Sequence, residues 1–209
     1  MSSSTWKGVP VVLSGPSAVG KTTIRNQLLA RFQDIVPSIS ATTRAPRTGE
    51  VHGKDYLFLS REAFEQGLRE NMFLEYAEVH GELYGTPRGP LEDVLTQGVD
   101  ALLVIDVQGG VQVKAQYPDA LMVLLLPPSM AELQKRFGKR GDTAESDIVL
   151  RLKNAEWEIG FAKHYDYWVV NRSLEEAVRE VRAILVADRC RRERAITRYA
   201  RLGMEWPML

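Results

Sequence analysis

The residues best suited to chemistry stand near the start of the chain, where Gly15-Pro-Ser-Ala-Val-Gly20-Lys21-Thr22 fits the pattern G-x-x-x-x-G-K-[ST]. A polyphosphate carries several negative charges that must be held with no bulky side chain in the way. Backbone N–H groups of a tight glycine turn, aimed by the positive end of a helix, provide such a cradle. Lys21 then reaches the β- and γ-phosphates, and the Thr22 hydroxyl ligates Mg²⁺. An ordinary glycine turn would give no reason for lysine and threonine to follow the second glycine. Further along, Leu102-Leu-Val-Ile-Asp106 is an apolar run ending in a carboxylate. Alone, such an aspartate equally well opens a turn; beside a phosphate loop it reads as the Walker-B acid, meeting Mg²⁺ directly or through a water.

These groups need elements to hold them, and the sequence supplies an alternation of short β-branched runs with longer helical patterns. That alternation predicts an α/β fold, a P-loop core with a mainly parallel sheet flanked by helices. The spacing predicts a strand over Val9–Ser14 and a helix over Lys21–Phe32, with Ile24, Leu28, Leu29 and Phe32 on one face. Later strands are expected at Ala101–Asp106, Leu121–Leu126 and Tyr167–Val170. Ser129-Met-Ala-Glu132 and Ser173-Leu-Glu-Glu176 have the capping-box form that starts a helix. Residues 37–98 differ in texture: short alternating pieces, a short helix after Ser60 and several glycines predict a small α+β insert. The core is then 6–36 and 99–186, with a short lid at about 135–153. Residues 187–209 form an arginine-rich helical extension, read as a solvated helix face that could also meet a second copy, leaving a homo-oligomer open.

With 209 residues, 27 Lys+Arg and 27 Asp+Glu, the chain has zero formal net charge. Binding of nucleic acid or of a membrane by bulk charge is therefore not expected. The charges are nonetheless sorted: residues 62–106 hold ten acids and two bases, whereas 135–153 hold six bases and three acids. No apolar run approaches the ~18 residues of a membrane span, no secretory signal is legible, and the single cysteine, Cys190, forms no internal disulfide. A cytoplasmic protein is expected. His52, His80 and His164 are scattered without cysteine partners, so zinc is not expected.

A phosphate loop is shared by small-molecule kinases, GTPases, motors and ATPase modules. The chain has no Asn-Lys-x-Asp to read guanine as a GTPase does, although Asp106-Val-Gln-Gly109 fits the weak pattern DxxG. A kinase of a small phosphate acceptor needs a second anion site and mobile cations. Arg44 and Arg47, three apart across a proline, suit a bidentate grip on a phosphate monoester, or equally a surface salt-bridge pair. Lys135-Arg136-Phe-Gly-Lys-Arg140-Gly-Asp-Thr, followed by Arg151, is either a solvated charged turn or those mobile cations.

The insert closely resembles the guanylate kinase family. The pattern T-[ST]-R-x-x-[KR]-x-x-[DE]-x-x-G-x-x-Y-x-[FY] is matched by Thr42, Thr43, Arg44, Arg47, Glu50, Gly53, Tyr56 and Phe58. Phe73-Leu-Glu75-Tyr, Tyr84-Gly85-Thr86, Ile105-Asp106-Val-Gln-Gly109, Arg140-Gly141 and Tyr165-Asp-Tyr with Val169-Val-Asn171 extend the agreement to about Val186. The resemblance implies phosphoryl transfer from MgATP to GMP, and to dGMP, in purine nucleotide metabolism. It assigns the GMP phosphate to Ser40, Arg44, Arg47, Tyr56 and Tyr84, with Glu50 and Asp106 in the same site, and guanine to Glu75 and Thr86. A carboxylate accepts from both N1–H and the 2-amino group of guanine, which adenine does not offer. Thr86 before Pro87 also has the form of a helix N-cap. For ATP the resemblance implies Gly15, Pro16, Ser17, Ala18, Val19, Gly20, Lys21, Thr22, Thr23, Arg136, Arg140 and Asn171. Lys21, Arg44, Arg140 and Arg151 are the implied catalytic cations, and Thr22 and Asp106 the implied Mg²⁺ residues.

Three positions depart from the family pattern. Ala18 replaces a usual glycine, Val104 replaces a usual acid two before Asp106, and Asn171 is followed by Arg172 and Ser173 where an aspartate is usual. Two rivals remain at this level. A noncatalytic relative would carry a degraded phosphate loop, and a kinase of another nucleoside monophosphate would lack Glu75 with Thr86.

Overall fold

The computed structural model describes residues 7–79, 81–138 and 145–201. Five strands form a parallel sheet in the order β2-β7-β1-β8-β9: β1 Pro10–Ser14, β2 Ile35–Pro37, β7 Asp100–Leu103, β8 Leu121–Leu126 and β9 Tyr167–Val170. Strands buried on both faces need continuous apolar sequence, and β1 and β7 are buried at every position. Alternate residues serve opposite faces. Val11 and Leu13 pack with Ile24 and Leu28 of α1 (Lys21–Arg31) and Val178, Val181 and Leu185 of α7 (Leu174–Arg189). Val12, Leu103, Met122 and Leu124 pack on the other side, with Leu91 and Leu95 of α3 (Arg88–Thr96) and Val107 and Val113 of α4 (Val107–Gln116). Because β1 and β7 are adjacent and parallel, the loops after both emerge at one edge, where open α/β sheets bind ligands.

A second, mixed sheet in the order β4-β3-β6-β5 is built from β3 Ala41–Thr42, β4 Leu57–Phe58, β5 Phe73–Val79 and β6 Glu82–Pro87. It has its own core of Ala41, Phe64 and Leu83, with Phe64 of α2 (Arg61–Arg69) stacked 4.3 Å from Phe73. The Ser60 hydroxyl accepts from Ala63 N–H and starts α2. Ser129 and Ser173 likewise cap α5 (Met130–Gly138) and α7 through Glu132 N–H and Glu176 N–H. Helix α6 (Glu145–Ile159) follows. Among the described residues, no helix is long and apolar enough to cross a membrane.

Three sequence expectations differ from the structure. The strand expected over Ala101–Asp106 starts at Asp100 and ends at Leu103, and Asp106 is instead the N-cap of α4. Thr86 caps no helix: it lies in β6, and α3 begins after Pro87 with no side-chain cap. The arginines after Asp188 are not all on a solvated face of one long helix: Arg191 and Arg192 are exposed, whereas Arg189 and Arg194 turn inward. The helix turns at Cys190 and restarts as α8 (Arg192–Arg201). Arg189, buried, and Arg194, partly buried, each meet Asp100 at 2.7 Å; Arg189 also pairs with Asp34 and Arg194 with Asp188. Asp100 further accepts from Val9 N–H at 3.0 Å. Buried charges are retained when paired and hydrogen-bonded, and this network fixes the start of β1, β7 and α8 together.

Candidate active site

The phosphate loop joins β1 to α1 with three left-handed residues: Gly15 (φ 143), Ala18 (φ 61) and Gly20 (φ 109). At Gly15 a Cβ would lie 2.3 Å from the Leu125 carbonyl oxygen, and at Gly20 one would lie 2.5 Å from Asn171 Nδ2. Both glycines are therefore demanded by clearance as well as by φ. Ala18 adopts the left-handed conformation despite its side chain, and its methyl packs beside Leu133 and Phe137 of α5 and Ala155 of α6. The loop is held from below: Asn171 Nδ2 donates to Val19 O at 2.8 Å, and the Arg136 guanidinium donates to Val19 O at 3.4 Å and Asn171 O at 3.2 Å.

Gly20 caps α1 with no side-chain hydrogen bond, and no acid lies in the first turn. The N–H groups at this helix end are thus open to an anion, as the macrodipole favours. Thr22 and Thr23 are exposed there. Lys21 Nζ crosses the loop, donating to the carbonyl oxygens of Gly15 and Pro16, the latter at 3.1 Å. Burial lowers its pKa, opposed by the charges of Glu158 and Asp106. Glu158, half-buried on α6, faces Lys21 and the Ser17 N–H, and burial holds its carboxyl above the usual range. Asp106 Oδ1 accepts from Gln108 N–H at 2.7 Å and Gly109 N–H at 3.0 Å, so its carboxylate is held at the start of α4. Val104 instead packs against the core facing α1 and α7.

On the facing sheet, Arg44 donates to both Glu50 carboxylate oxygens at 2.9 Å and stands 5.6 Å from the Tyr56 ring and 5.9 Å from the Phe58 ring. The Arg47 N–H also donates to Glu50, at 2.8 Å, while the Arg47 side chain is exposed. Tyr56 and Tyr84 meet edge to face at 6.1 Å, and Ser40 is half-buried at the start of β3. The structure therefore groups Arg44, Glu50, Tyr56 and Tyr84.

Glu75 and Thr86 are cross-strand partners on β5 and β6. Thr86 Oγ1 donates to Glu75 Oε1 at 2.6 Å, and both residues are buried. Burial, reinforced by the charge of Asp106 and opposed by Thr86, pushes the Glu75 carboxyl up to about 7. At Gly109 a Cβ would lie 2.3 Å from Glu75 Oε2. The glycine of the DxxG pattern thus makes room for a carboxylate of the other sheet, a role no local pattern encodes. Helix α4 also ties the sheets together. Gln112 exchanges hydrogen bonds with the Tyr76 backbone at 3.3 and 3.0 Å, and Gln116 Nε2 donates to Leu74 O at 2.6 Å.

Of the expected lid cations, Arg136 contacts the loop as described, and Arg151 lies 5.8 Å from the Phe137 ring centroid on the α5–α6 pair. Arg140 lies outside the described residues. Glu158 and the clearance role of Gly109 were missed by sequence reasoning. Only the family motif around Gly109 pointed near either.

Comparison with known proteins agrees with this geometry. The family model described as guanylate kinase matches residues 7–188. A guanylate kinase of Thermus thermophilus is 51% identical over 185 residues, covering 88% of this chain and 84% of its own. One from Clostridium perfringens is 47% identical over 188 residues, covering 90% and 87%. The crystal structure of guanylate kinase from Anaplasma phagocytophilum superimposes with a TM-score of 0.76 at 39% identity, covering 91% of this chain and 90% of that one. With an open phosphate loop facing a buried Glu75–Thr86 pair and relatives of this identity over nearly its whole length, the chain belongs to the guanylate kinase family.

Proposed function

We propose that the protein transfers the γ-phosphoryl group of MgATP to GMP, and to dGMP, giving ADP and the nucleoside diphosphate. The observation that carries this reading is the buried Glu75 carboxylate, oriented by Thr86 and given room by Gly109, beside an intact phosphate loop. Ionised Glu75 accepts from guanine N1–H and the 2-amino group, and on binding the Thr86 hydroxyl turns its single proton from Glu75 Oε1 to guanine O6. Adenine would leave the carboxylate without donors in a buried site, a mismatch able to cost orders of magnitude in kcat/KM.

The loop N–H groups and Lys21 hold the ATP phosphates, with Arg136 and Asn171 bracing the loop from behind. Lys21 leaves the carbonyl oxygens of Gly15 and Pro16 for the phosphates. Arg44, Arg47, Tyr56, Tyr84 and Ser40 hold the acceptor phosphate. A carboxylate presented to a phosphate repels it, so Glu50 serves by orienting Arg44. Arg140 and Arg151 complete the charge around the transferring group as the 135–153 lid closes, excluding water as a competing acceptor. The acceptor phosphate is already anionic, so no general base is required. The donor set fits Mg²⁺, which takes few protein ligands and otherwise phosphate oxygens and waters. Thr22 supplies a hydroxyl, and Asp106, whose Oδ1 is occupied by backbone N–H groups, supplies Oδ2. The ion would neutralise charge on the phosphoryl oxygens. We place the protein in the cytoplasm, consistent with its single cysteine.

A coupled ADP-release assay with GMP, dGMP, AMP, UMP and CMP tests the reading. Turnover is expected with GMP and dGMP. No GMP-dependent turnover by folded protein would end the enzyme reading, and a preference for AMP would end the assignment of Glu75.

A further inference from the structure

Arg25 is a cation that neither the phosphate-loop pattern nor the site described above uses. It lies on α1 one turn beyond Lys21. Helical side chains lean toward the N-terminus of their helix, which for Arg25 is the phosphate-loop end of α1. Its charge acts on Tyr56 of the facing sheet, whose hydroxyl pKa is raised chiefly by burial and then by Tyr84, with Arg44 and Arg25 opposing. Arg25, on the core side, is thus near enough for its charge to be felt by Tyr56 of that cluster.

Its bonding is out of keeping with the other enclosed arginines. Arg44 has Glu50, Arg136 has Glu132 and two carbonyl oxygens, and Arg189 has Asp100 and Asp34. The Nε of Arg25 is enclosed with no acceptor, and Arg25 forms no ion pair among the described residues. A buried donor left unmade is costly, and a charged one more so. A planar guanidinium with donors in a fork is satisfied by an oxyanion with several acceptor oxygens. At this place in the cleft, that oxyanion is the acceptor's phosphate monoester.

We infer that Arg25 is a further ligand of the acceptor nucleotide's phosphate, contributed by the phosphate-loop helix rather than by the insert. The inference rests on the proposed GMP phosphorylation. A phosphate gripped by Arg44 from one sheet and Arg25 from the other bridges the two halves of the cleft, drawing the acceptor toward the donor phosphates.

The test compares Arg25→Gln and Arg25→Lys with wild type in steady-state kinetics and in calorimetric binding of GMP and of guanosine, which lacks the phosphate. Arg25→Gln is expected to raise the GMP KM and Kd about 10- to 100-fold. Guanosine binding and the ATP KM should stay within about twofold, and Arg25→Lys should recover part of the loss. An unchanged GMP Kd in Arg25→Gln overturns the inference, as does an equal loss of guanosine and GMP, or a rise in the ATP KM alone. In the wild type, the Arg25 Nε–Hε resonance should move on addition of GMP and not of guanosine. A resonance indifferent to GMP overturns the inference even where the variants fail to fold. Wild type without GMP turnover or binding would remove the parent reading, whereas active wild type with a normal Arg25→Gln removes this inference alone.

Discussion

Glu75→Gln separates the guanine-reading role of the carboxylate from its effect on stability, and each has its own pH signature. Burial lifts the Glu75 carboxyl from 4.5 to about 7. On the proposed reading ionised Glu75 accepts two donors from guanine, so kcat/KM for GMP should fall as pH drops through about 7. The GMP phosphate itself takes up a proton near pH ~6 and produces a second, lower bend. The Glu75→Gln variant keeps the lower bend and loses the upper one, so the ratio of the two profiles isolates Glu75. At pH 8 the amide presents an N–H where guanine also offers one. That loss is about 2–3 kcal/mol, or roughly 30- to 150-fold in kcat/KM. Stability of the nucleotide-free protein moves oppositely. Between pH 4.5 and about 7 the folded chain holds a proton on Glu75 that the unfolded chain releases, so stability falls as pH rises through that window and levels off above it. At about 1.4 kcal/mol per pH unit the decline is on the order of 3 kcal/mol, and Glu75→Gln should remove it. Urea unfolding at pH 5 and pH 8, with GMP kinetics from pH 5.5 to 8.5, measures both. Parallel stability and kinetic profiles for the two proteins would refute the placement of this charge.

Three further outcomes follow from contacts elsewhere. Lys21→Ala should lower kcat at least about 10²- to 10³-fold without loss of thermal stability, since the side chain it removes is a half-buried charge whose desolvation lowers its pKa; calorimetry and saturation kinetics check this, and a normal kcat would remove Lys21 from the chemistry. Gly109→Ala should raise the GMP KM about tenfold or more while leaving the ATP KM unchanged, because its Cβ would fall 2.3 Å from Glu75 Oε2; equal effects on both substrates would refute the clearance argument. Asp100→Ala takes the carboxylate from the buried Arg189 and should cost about 3–5 kcal/mol in denaturant unfolding, with kcat per folded molecule within about twofold; a loss below about 1 kcal/mol would show that the network does not carry the junction of α7 and α8.

What was legible in the sequence was local. The β8 run read correctly because a strand buried on both faces is a continuous apolar segment, the edge strand β9 because its residues are aromatic and β-branched although Tyr167 and Trp168 are exposed, and the starts of α5 and α7 because a capping serine and its glutamate are three residues apart. The strand into Asp106 was drawn too long because Val104 and Ile105 are apolar for a different reason: they pack on opposite sides of the sheet as the chain turns into α4. Strand β2 was not singled out, since three residues ending in proline carry no periodicity. The arginines at 189 and 194 read as a solvated run because their partners Asp34 and Asp100 lie 89 to 155 residues away in sequence. At Ala18, where the family pattern has glycine, the question is whether the loop needs a left-handed residue. It does, and alanine accepts the strain, on the order of 1–2 kcal/mol, with its methyl in the α5–α6 core.

The same limit explains why the site's organising element was not visible. Helix α4 begins with Asp106, aimed at the phosphate edge, and one turn later sets Gly109 against Glu75 at the base end. Gln112 and Gln116, at successive i+3 and i+4 positions along the neighbouring face, then clasp the backbone of β5, the strand that carries Glu75. An α-helix rises about 1.5 Å per residue, so the separation between the Asp106 and Glu75 carboxylates is set by one rigid turn rather than by the loops that join the two sheets. The insert can therefore vary in its exposed loops while the distance from acceptor base to donor phosphates stays constant. Phosphoryl transfer, which depends on positioning more than on acid–base chemistry, needs that constancy.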